Sequence, residues 1–403
     1  MKKKKKWMKY RHRVVRNILC LALRPYSAIR YGIKAEPFKE QGKRPYLILL
    51  NHQTAFDQFF VGMSFKGPVY YVASEDIFSK GWVSSLIRWL VEPIPIKKQA
   101  TDLTAVLNCI KIAREGGTIA IAPEGNRTYS GKTEYMSPVI AQLAKRIKLP
   151  IALYRIEGGF GVHPRWSDVV RKGKMRSYVS KVIEPEEYAK MTDDELFAAI
   201  ESGLYVDEGN AENEFKSEKR AEYIERAMYV CPFCGLSTFE SGGNEVKCLK
   251  CGKSISYGVD TKLKGVGFDF PFDFLTQWYD YQKDFVCSLD LSVNNEKPYY
   301  RESTQFSEVI IYKHKVPIFE NAEIALYGDK ITVNENSENG FTFSFSEVSA
   351  VTVLGRNKLN IYQGKNVYQL KGGKRFNALK YVNFCYRFKN ISKGDPNGKF
   401  LGL

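Results

Sequence analysis

The chain has no apolar run approaching the ~20 residues needed to cross a bilayer, because Arg24 interrupts the longest candidate in the first thirty positions. It shows no continuous apolar segment followed by a small-residue cleavage site, which argues against a secretory signal. There is no internal repeat, and no low-complexity tract beyond the first six residues. Acidic residues are missing altogether from positions 1–34, which hold twelve Lys or Arg. That local absence accounts for most of the net charge of +17, and the rest of the chain is nearly balanced. A nucleic-acid surface spread over the whole protein is therefore disfavoured relative to a basic N-terminal arm, and no nucleic-acid partner is expected.

The arm carries more than charge. Trp7, Tyr10, Val14, Ile18 and Leu21 fall at helical spacing, with Lys9, Arg13 and Arg16 largely off that stripe, and Pro25 is expected to end the pattern. A basic amphipathic helix of this kind lies flat on an anionic membrane surface. The same residues would also suit a helix packed on a domain, or an RNA-binding arm. At 403 residues, 44% of them apolar, the chain is long enough for two or three domains. From about 42 to 205, strand-like runs alternate with helical ones, which predicts an α/β fold with a mostly parallel sheet flanked by helices. The expected organisation is a membrane-surface segment 1–34, an α/β domain 35–208, a connector 209–228, a cysteine module 229–258, a linker with a helix 259–299, and a β-rich domain 300–403. The last, several short strands before one C-terminal helix, suggests a small barrel of the pleckstrin-homology or GRAM kind.

Two polar signatures follow buried-strand patterns. Tyr46–Leu50 runs into Asn51-His52-Gln53-Thr54-Ala55-Phe56-Asp57, and Thr118–Ala122 runs into Pro123-Glu124-Gly125-Asn126-Arg127-Thr128. An alcohol is a poor nucleophile at neutral pH, and an imidazole with a pKa of ~6.5 is a suitable base for it. His52 would take the hydroxyl proton on one ring nitrogen, and Asp57 would hold the proton on the other. Arg127 can bind a phosphate through two parallel bonds, and Gly125 lets ligand and backbone approach closely.

These two motifs resemble the first and third motifs of the glycerolipid acyltransferase family, which includes the 1-acylglycerol-3-phosphate acyltransferases. Val91-Glu92-Pro93-Ile94-Pro95-Ile96-Lys97-Lys98 resembles the second motif and Leu149-Pro150-Ile151-Ala152-Leu153 the fourth, so that the similarity covers roughly residues 10–205. The resemblance implies transfer of an acyl group from acyl-CoA or acyl-carrier protein to a lysophospholipid acceptor. It further implies that Arg127 contributes to binding the acceptor's phosphate and that Glu124 and Gly125 shape the acceptor pocket. Lys97 or Lys98 would add positive charge where the family usually has Arg, and Asn126 stands where Thr is frequent. A different lysolipid or aminolipid acceptor is the alternative within the class. A non-catalytic adaptor is the alternative outside it. An enzyme making a two-tailed lipid must work on a bilayer, which favours the membrane reading of the arm and a peripheral location on the cytoplasmic face.

Eight cysteines divide into two groups. Cys20, Cys109, Cys287 and Cys385 are isolated, as buried thiols usually are. Cys231-Pro232-Phe233-Cys234-Gly235 and Cys248-Leu249-Lys250-Cys251-Gly252 form two CxxCG knuckles. Their spacing predicts a zinc ribbon holding structural Zn2+ through Cys231, Cys234, Cys248 and Cys251, with no ligand position left open for catalysis.

Overall fold

The computed structural model describes residues 6–78, 81–96, 103–210, 213–291, 296–310 and 313–402. The chain divides into two compact units. One comprises Met1–Pro164 with Val170–Phe215, and the other Arg165–Val169 with Lys216–Leu403.

The first unit begins with helix α1 (Tyr10–Tyr31) and strand β1 (Ile33–Ala35). Then follow β2 (Leu47–Leu50), α2 (Asp57–Ser64), β3 (Val69–Ser74), α3 (Trp82–Val91), β4 (Ile94–Ile96), α4 (Leu103–Arg114) and β5 (Thr118–Ile121). It closes with α5 (Val139–Ile147), β6 (Ile151–Glu157), a single turn α6 (Gly159–Val162), β7 (Met175–Ile183), α7 (Pro185–Tyr188) and α8 (Asp193–Leu204). The seven strands form one sheet in the order β1-β7-β6-β2-β5-β3-β4. Strands β6, β2, β5, β3 and β4 are mutually parallel, and β7 runs antiparallel to β6. The α/β expectation is met.

Strand β2 is central and covered on both faces, which is why it reads as a continuous apolar run. Leu47 and Leu49 point into one core with Ile112, Ala141 and Leu196. Ile48 and Leu50 point into the other with Phe60, Val61 and Tyr154. With its flanks filled, β2 can only open at its carboxyl end, where the sequence turns from Leu50 to Asn51 and His52.

Helix α1 differs from its expectation in two ways. It continues through Pro25 to Tyr31 and is ended by Gly32 in the left-handed conformation. Proline removes one backbone donor, but Leu21 and Pro25 are both exposed, so water can satisfy the carbonyl left over. The stripe is also split. Trp7 is buried in the sheet core, its backbone N–H held by the Glu115 carboxylate, whereas Tyr10, Val14, Ile18 and Leu21 are exposed.

The second unit carries the hairpin β8 (Val230–Cys231) and β9 (Gly235–Leu236), then a four-stranded antiparallel sheet of β10 (Phe239–Gly242), β11 (Glu245–Cys248), β12 (Ser254–Tyr257) and β13 (Leu263–Gly265). Helix α9 (Leu275–Ser288) leads to a seven-stranded antiparallel sheet. Its strands are β14 (Tyr300–Val309), β15 (Lys315–Leu326), β16 (Lys330–Val333), β17 (Phe341–Ser344), β18 (Val348–Leu354), β19 (Lys358–Gln363) and β20 (Asn366–Gly372). This sheet is nearly closed and barrel-like, and α10 (Leu379–Ser392) packs on β18.

Candidate active site

The two motifs meet at the carboxyl ends of the adjacent parallel strands β2 and β5, whose register pairs Leu49 with Ile121. Asn51 is fully buried and imitates a strand residue. Its Nδ2 donates to the Ile156 carbonyl at 2.8 Å and its Oδ1 accepts from the Ile156 N–H at 2.8 Å. This anchors the chain to β6 beyond the end of β2. His52 is fixed through its backbone: its N–H donates to Glu124 Oε1 at 2.7 Å and its carbonyl accepts from the Thr128 N–H at 3.1 Å. The imidazole is 26% exposed.

His52 Nδ1 lies 2.7 Å from Asp57 Oδ2. Asp57 opens α2 and is 1% exposed. It also accepts the N–H of Gln53 at 2.7 Å, the N–H of Thr54 at 3.0 Å and the Thr54 hydroxyl at 2.7 Å. A carboxylate at the first turn of a helix is favoured by the helix dipole, and these donors fix both of its oxygens. The proton on Nδ1 is therefore directed at Asp57, and Nε2 is left as the basic nitrogen.

Helix α2 is held at its far end too. Arg16 donates to the carbonyls of Gly62, at 2.9 Å, and of Phe65, and Arg24 donates to the Met63 carbonyl at 2.8 Å. Arg16 and Arg24 thus satisfy carbonyls at the C-terminal end of the helix that begins with Asp57, while Arg13 and Arg30 are exposed. With Arg16 and Arg24 bonded to the domain, Tyr10, Val14, Ile18 and Leu21 are left outward.

The second motif forms a turn in which Gly125 has φ of 68°, a conformation that favours glycine, and its N–H donates to the Ala122 carbonyl at 3.0 Å. Gly125 is exposed and Arg127 half-buried beside it. Glu124 points inward instead, 1% exposed, with Oε1 on the His52 N–H and Oε2 on the Glu134 N–H at 2.9 Å. Its visible work is to tie the two motifs together. Lys97 and Lys98 lie outside the described residues.

One participant has no recognisable sequence signal. Glu208 is buried beyond α8, and its carboxylate accepts the Gly158 N–H at 2.6 Å, at the start of α6. The next residue, Gly159, sits so close to the first motif that a Cβ there would lie 2.6 Å from the Gln53 Cβ. Nothing distinguishes this glutamate, in a polar stretch after Asp207, from an ordinary surface acid.

Burial pushes both carboxyls up to about 8, against the pull of their backbone donors. Since the folded values lie above the ordinary 4.5, the folded form retains protons that the unfolded chain releases. The stability these groups contribute is complete below about pH 4.5 and is withdrawn as pH rises through about 8. The thermal midpoint should accordingly decline over that window, and Glu208→Gln should flatten the decline in a melting series. An unchanged slope would refute the raised value.

In the second unit, the Sγ atoms of Cys231, Cys234, Cys248 and Cys251 all lie within 4.8 Å of one another. Cys231 and Cys251 are 3.8 Å apart, and Cys234 and Cys248 3.6 Å. A tetrahedral ion with metal–sulfur bonds of ~2.3 Å separates its sulfurs by about 3.8 Å, whereas a disulfide would bring them to ~2 Å. The donor set fits a four-coordinate thiophilic ion.

The histidine–aspartate pair thus lies at the carboxyl edge of a parallel sheet, tied through Glu124 to the turn that carries Gly125 and Arg127. Residues 32–154 match the acyltransferase family model, and this part of the chain is an acyltransferase domain. The chain is similar to the 1-acyl-sn-glycerol-3-phosphate acyltransferase of Bacillus subtilis (strain 168), 23% identical over 187 residues, covering 45% of this chain and 89% of the relative. It is also similar to the crystal structure of the 1-acyl-sn-glycerophosphate acyltransferase PlsC from Thermotoga maritima. There the identity is 19% and the TM-score 0.42, with 48% of this chain and 78% of that one covered.

Proposed function

We propose that this acyltransferase moves a fatty acyl group from acyl-CoA or acyl-carrier protein to the free hydroxyl of 1-acylglycerol-3-phosphate, giving phosphatidic acid. The observation that carries the reading is the 2.7 Å contact between His52 Nδ1 and Asp57 Oδ2. His52 Nε2 takes the acceptor's hydroxyl proton as that oxygen attacks the thioester carbonyl. Collapse of the tetrahedral adduct breaks the C–S bond, and the imidazolium returns its proton to the leaving thiolate. Ester and thiol are formed, and the base is regenerated without a covalent acyl-enzyme. Arg127 and Gly125 are assigned to the acceptor's phosphate, with Lys97 and Lys98 as further cations. The relative from Bacillus, named for the same acceptor, supports that choice.

The test is transfer of labelled acyl groups from each donor to 1-acylglycerol-3-phosphate by the full chain. Product formation from one donor identifies it. Transfer only to another lysolipid would replace the acceptor, and no transfer to any lysolipid would leave the adaptor reading.

The same reading seats α1 on an anionic bilayer at the cytoplasmic face, since its product cannot leave into water. No described helix is long and apolar enough to cross a membrane. Tyr10, Val14, Ile18 and Leu21 are exposed on one side, and Arg16 and Arg24 bond to the domain on the other. Truncating the arm would also remove Trp7 from the core and the arginine bonds to α2, so loss of binding would be ambiguous. Ile18→Ser with Leu21→Ser is the cleaner change. It should weaken binding to phosphatidylglycerol vesicles at least tenfold with an unaltered melting transition, and unchanged binding would refute the anchor. In the second unit we assign Zn2+ to the four cysteines, as a structural ion.

A further inference from the structure

Helix α3 carries a second apolar stripe that nothing in the catalytic chemistry uses. Trp82, Leu86 and Trp89 recur at i, i+4 and i+7, on one side of the helix. Trp82 is 77% and Trp89 54% exposed. Ordinary surfaces do not leave two tryptophans and a leucine exposed along one helix face. The stripe lies beside α1, and the last turn of α3 is bonded to the first turn of that helix. Arg11 Nε donates to the Trp89 carbonyl at 2.9 Å and its guanidinium lies 5.4 Å from the Trp89 ring centre. Just beyond α3, Glu92 pairs with Lys9 at 2.6 Å.

The charge of this pair of helices is one-sided. Together α1 and α3 contain Arg11, Arg13, Arg16, Arg24, Arg30 and Arg88 and not a single Asp or Glu. Tryptophan favours the headgroup region of a bilayer, where its ring is half in hydrocarbon and its N–H is wet. Arg16 and Arg24 bond to carbonyls of the domain, whereas Arg13 and Arg30 are exposed and add positive charge that suits an anionic headgroup layer. A protein partner would need an acidic, concave surface to match; a bilayer supplies charge and apolar depth over any area.

We propose that α3 is a second bilayer-contact element, with Trp82, Leu86 and Trp89 entering an anionic membrane alongside the Tyr10–Leu21 stripe of α1. The inference rests on the proposal that α1 meets the bilayer, and deepens it. Contact through two bonded helices fixes the rotation of the domain about α1, which one helix alone would leave free.

The tryptophans make the test specific. Of the five in the chain, Trp7, Trp166 and Trp278 are buried, so Trp82 and Trp89 are the ones a lipid can reach. The full chain is bound to phosphatidylglycerol vesicles containing lipids brominated on the upper acyl chain, and its emission is compared with that on unbrominated vesicles. Emission should be quenched, and Trp82→Phe with Trp89→Phe should abolish the quenched part in the protein that is bound. Trp82→Ser with Trp89→Ser should weaken binding by on the order of tenfold or more. Binding with no quenching overturns the inference and leaves α1 as the anchor. A failure to bind at all overturns both. Concentration-dependent dimerisation that hides the two rings from an aqueous quencher, without lipid quenching, assigns the face to a second copy of the chain and overturns it as well.

Discussion

His52→Ala should lower acyl transfer by about 10^2- to 10^4-fold, the range of a lost general base, while the protein melts almost as before. The side chain is 26% exposed and makes one bond, to Asp57. The bonds that hold the loop belong to the His52 backbone and survive the truncation. Asp57 keeps its donors from Gln53 and Thr54. Asp57→Asn should behave differently. Its amide nitrogen would either face His52 Nδ1 and enforce the wrong tautomer, or turn toward Thr54 and oppose its N–H. The change should therefore lose both activity and stability, the latter by about 3 kcal/mol as charged buried bonds are lost. The two variants separate chemistry from scaffold. If His52→Ala keeps more than a tenth of the native rate, another group is the base and the proposed mechanism fails.

The central strands were legible because a strand buried on both faces must be apolar throughout, and Leu47–Leu50 and Thr118–Ile121 lie within the two runs that the sequence marks. The pairing of His52 with Asp57 was legible for the same local reason: five residues place a strand-end side chain against the first turn of the next helix. The inward turn of Glu124 was not. Pro-Glu-Gly-Asn-Arg reads as an exposed polar turn, and only the approach of the His52 N–H and the Glu134 N–H provides a buried carboxyl with partners. Glu208 was hidden by distance, since its partner Gly158 is fifty residues away. Helix α1 shows a limit of another kind. Periodicity finds an apolar stripe but does not say which way it faces, and here carbonyls at the end of α2 draw Arg16 and Arg24 inward. The α3 stripe was equally visible at i, i+4 and i+7, but a crossover helix is expected to bury such residues, so exposure alone gives them meaning.

Removing the metal should disrupt far more than the knuckles, because the first knuckle is bonded into the rest of its unit. Ser237 Oγ lies 3.0 Å from Cys248 Sγ, and the Ser237 carbonyl accepts the Tyr300 hydroxyl at the start of β14. Tyr229 bonds Gln282 of α9 through its N–H and Asn383 of α10 through its hydroxyl. The indole N–H of Trp278 donates to the Val230 carbonyl at 2.8 Å. Without an ion, Cys231 and Cys251 at 3.8 Å and Cys234 and Cys248 at 3.6 Å have nothing to bridge them, and the hairpin β8–β9 has only two residues to a strand. Structural zinc sites contribute as much as about 10–16 kcal/mol in isolated zinc-finger peptides at neutral pH, and a site welded into a larger unit should still supply several. The native chain should then hold one zinc per molecule. Cys248→Ser should abolish binding, lower the melting temperature of the second unit by ten degrees or more, and shift the emission of the buried Trp278 to the red. His52 chemistry should persist in the first unit wherever that unit remains folded. A metal-free chain with an unchanged melting transition would sink the structural assignment. A visible absorption band from the purified protein would instead mean iron, which the same four sulfurs accept, and would move the site from a fold staple toward electron transfer.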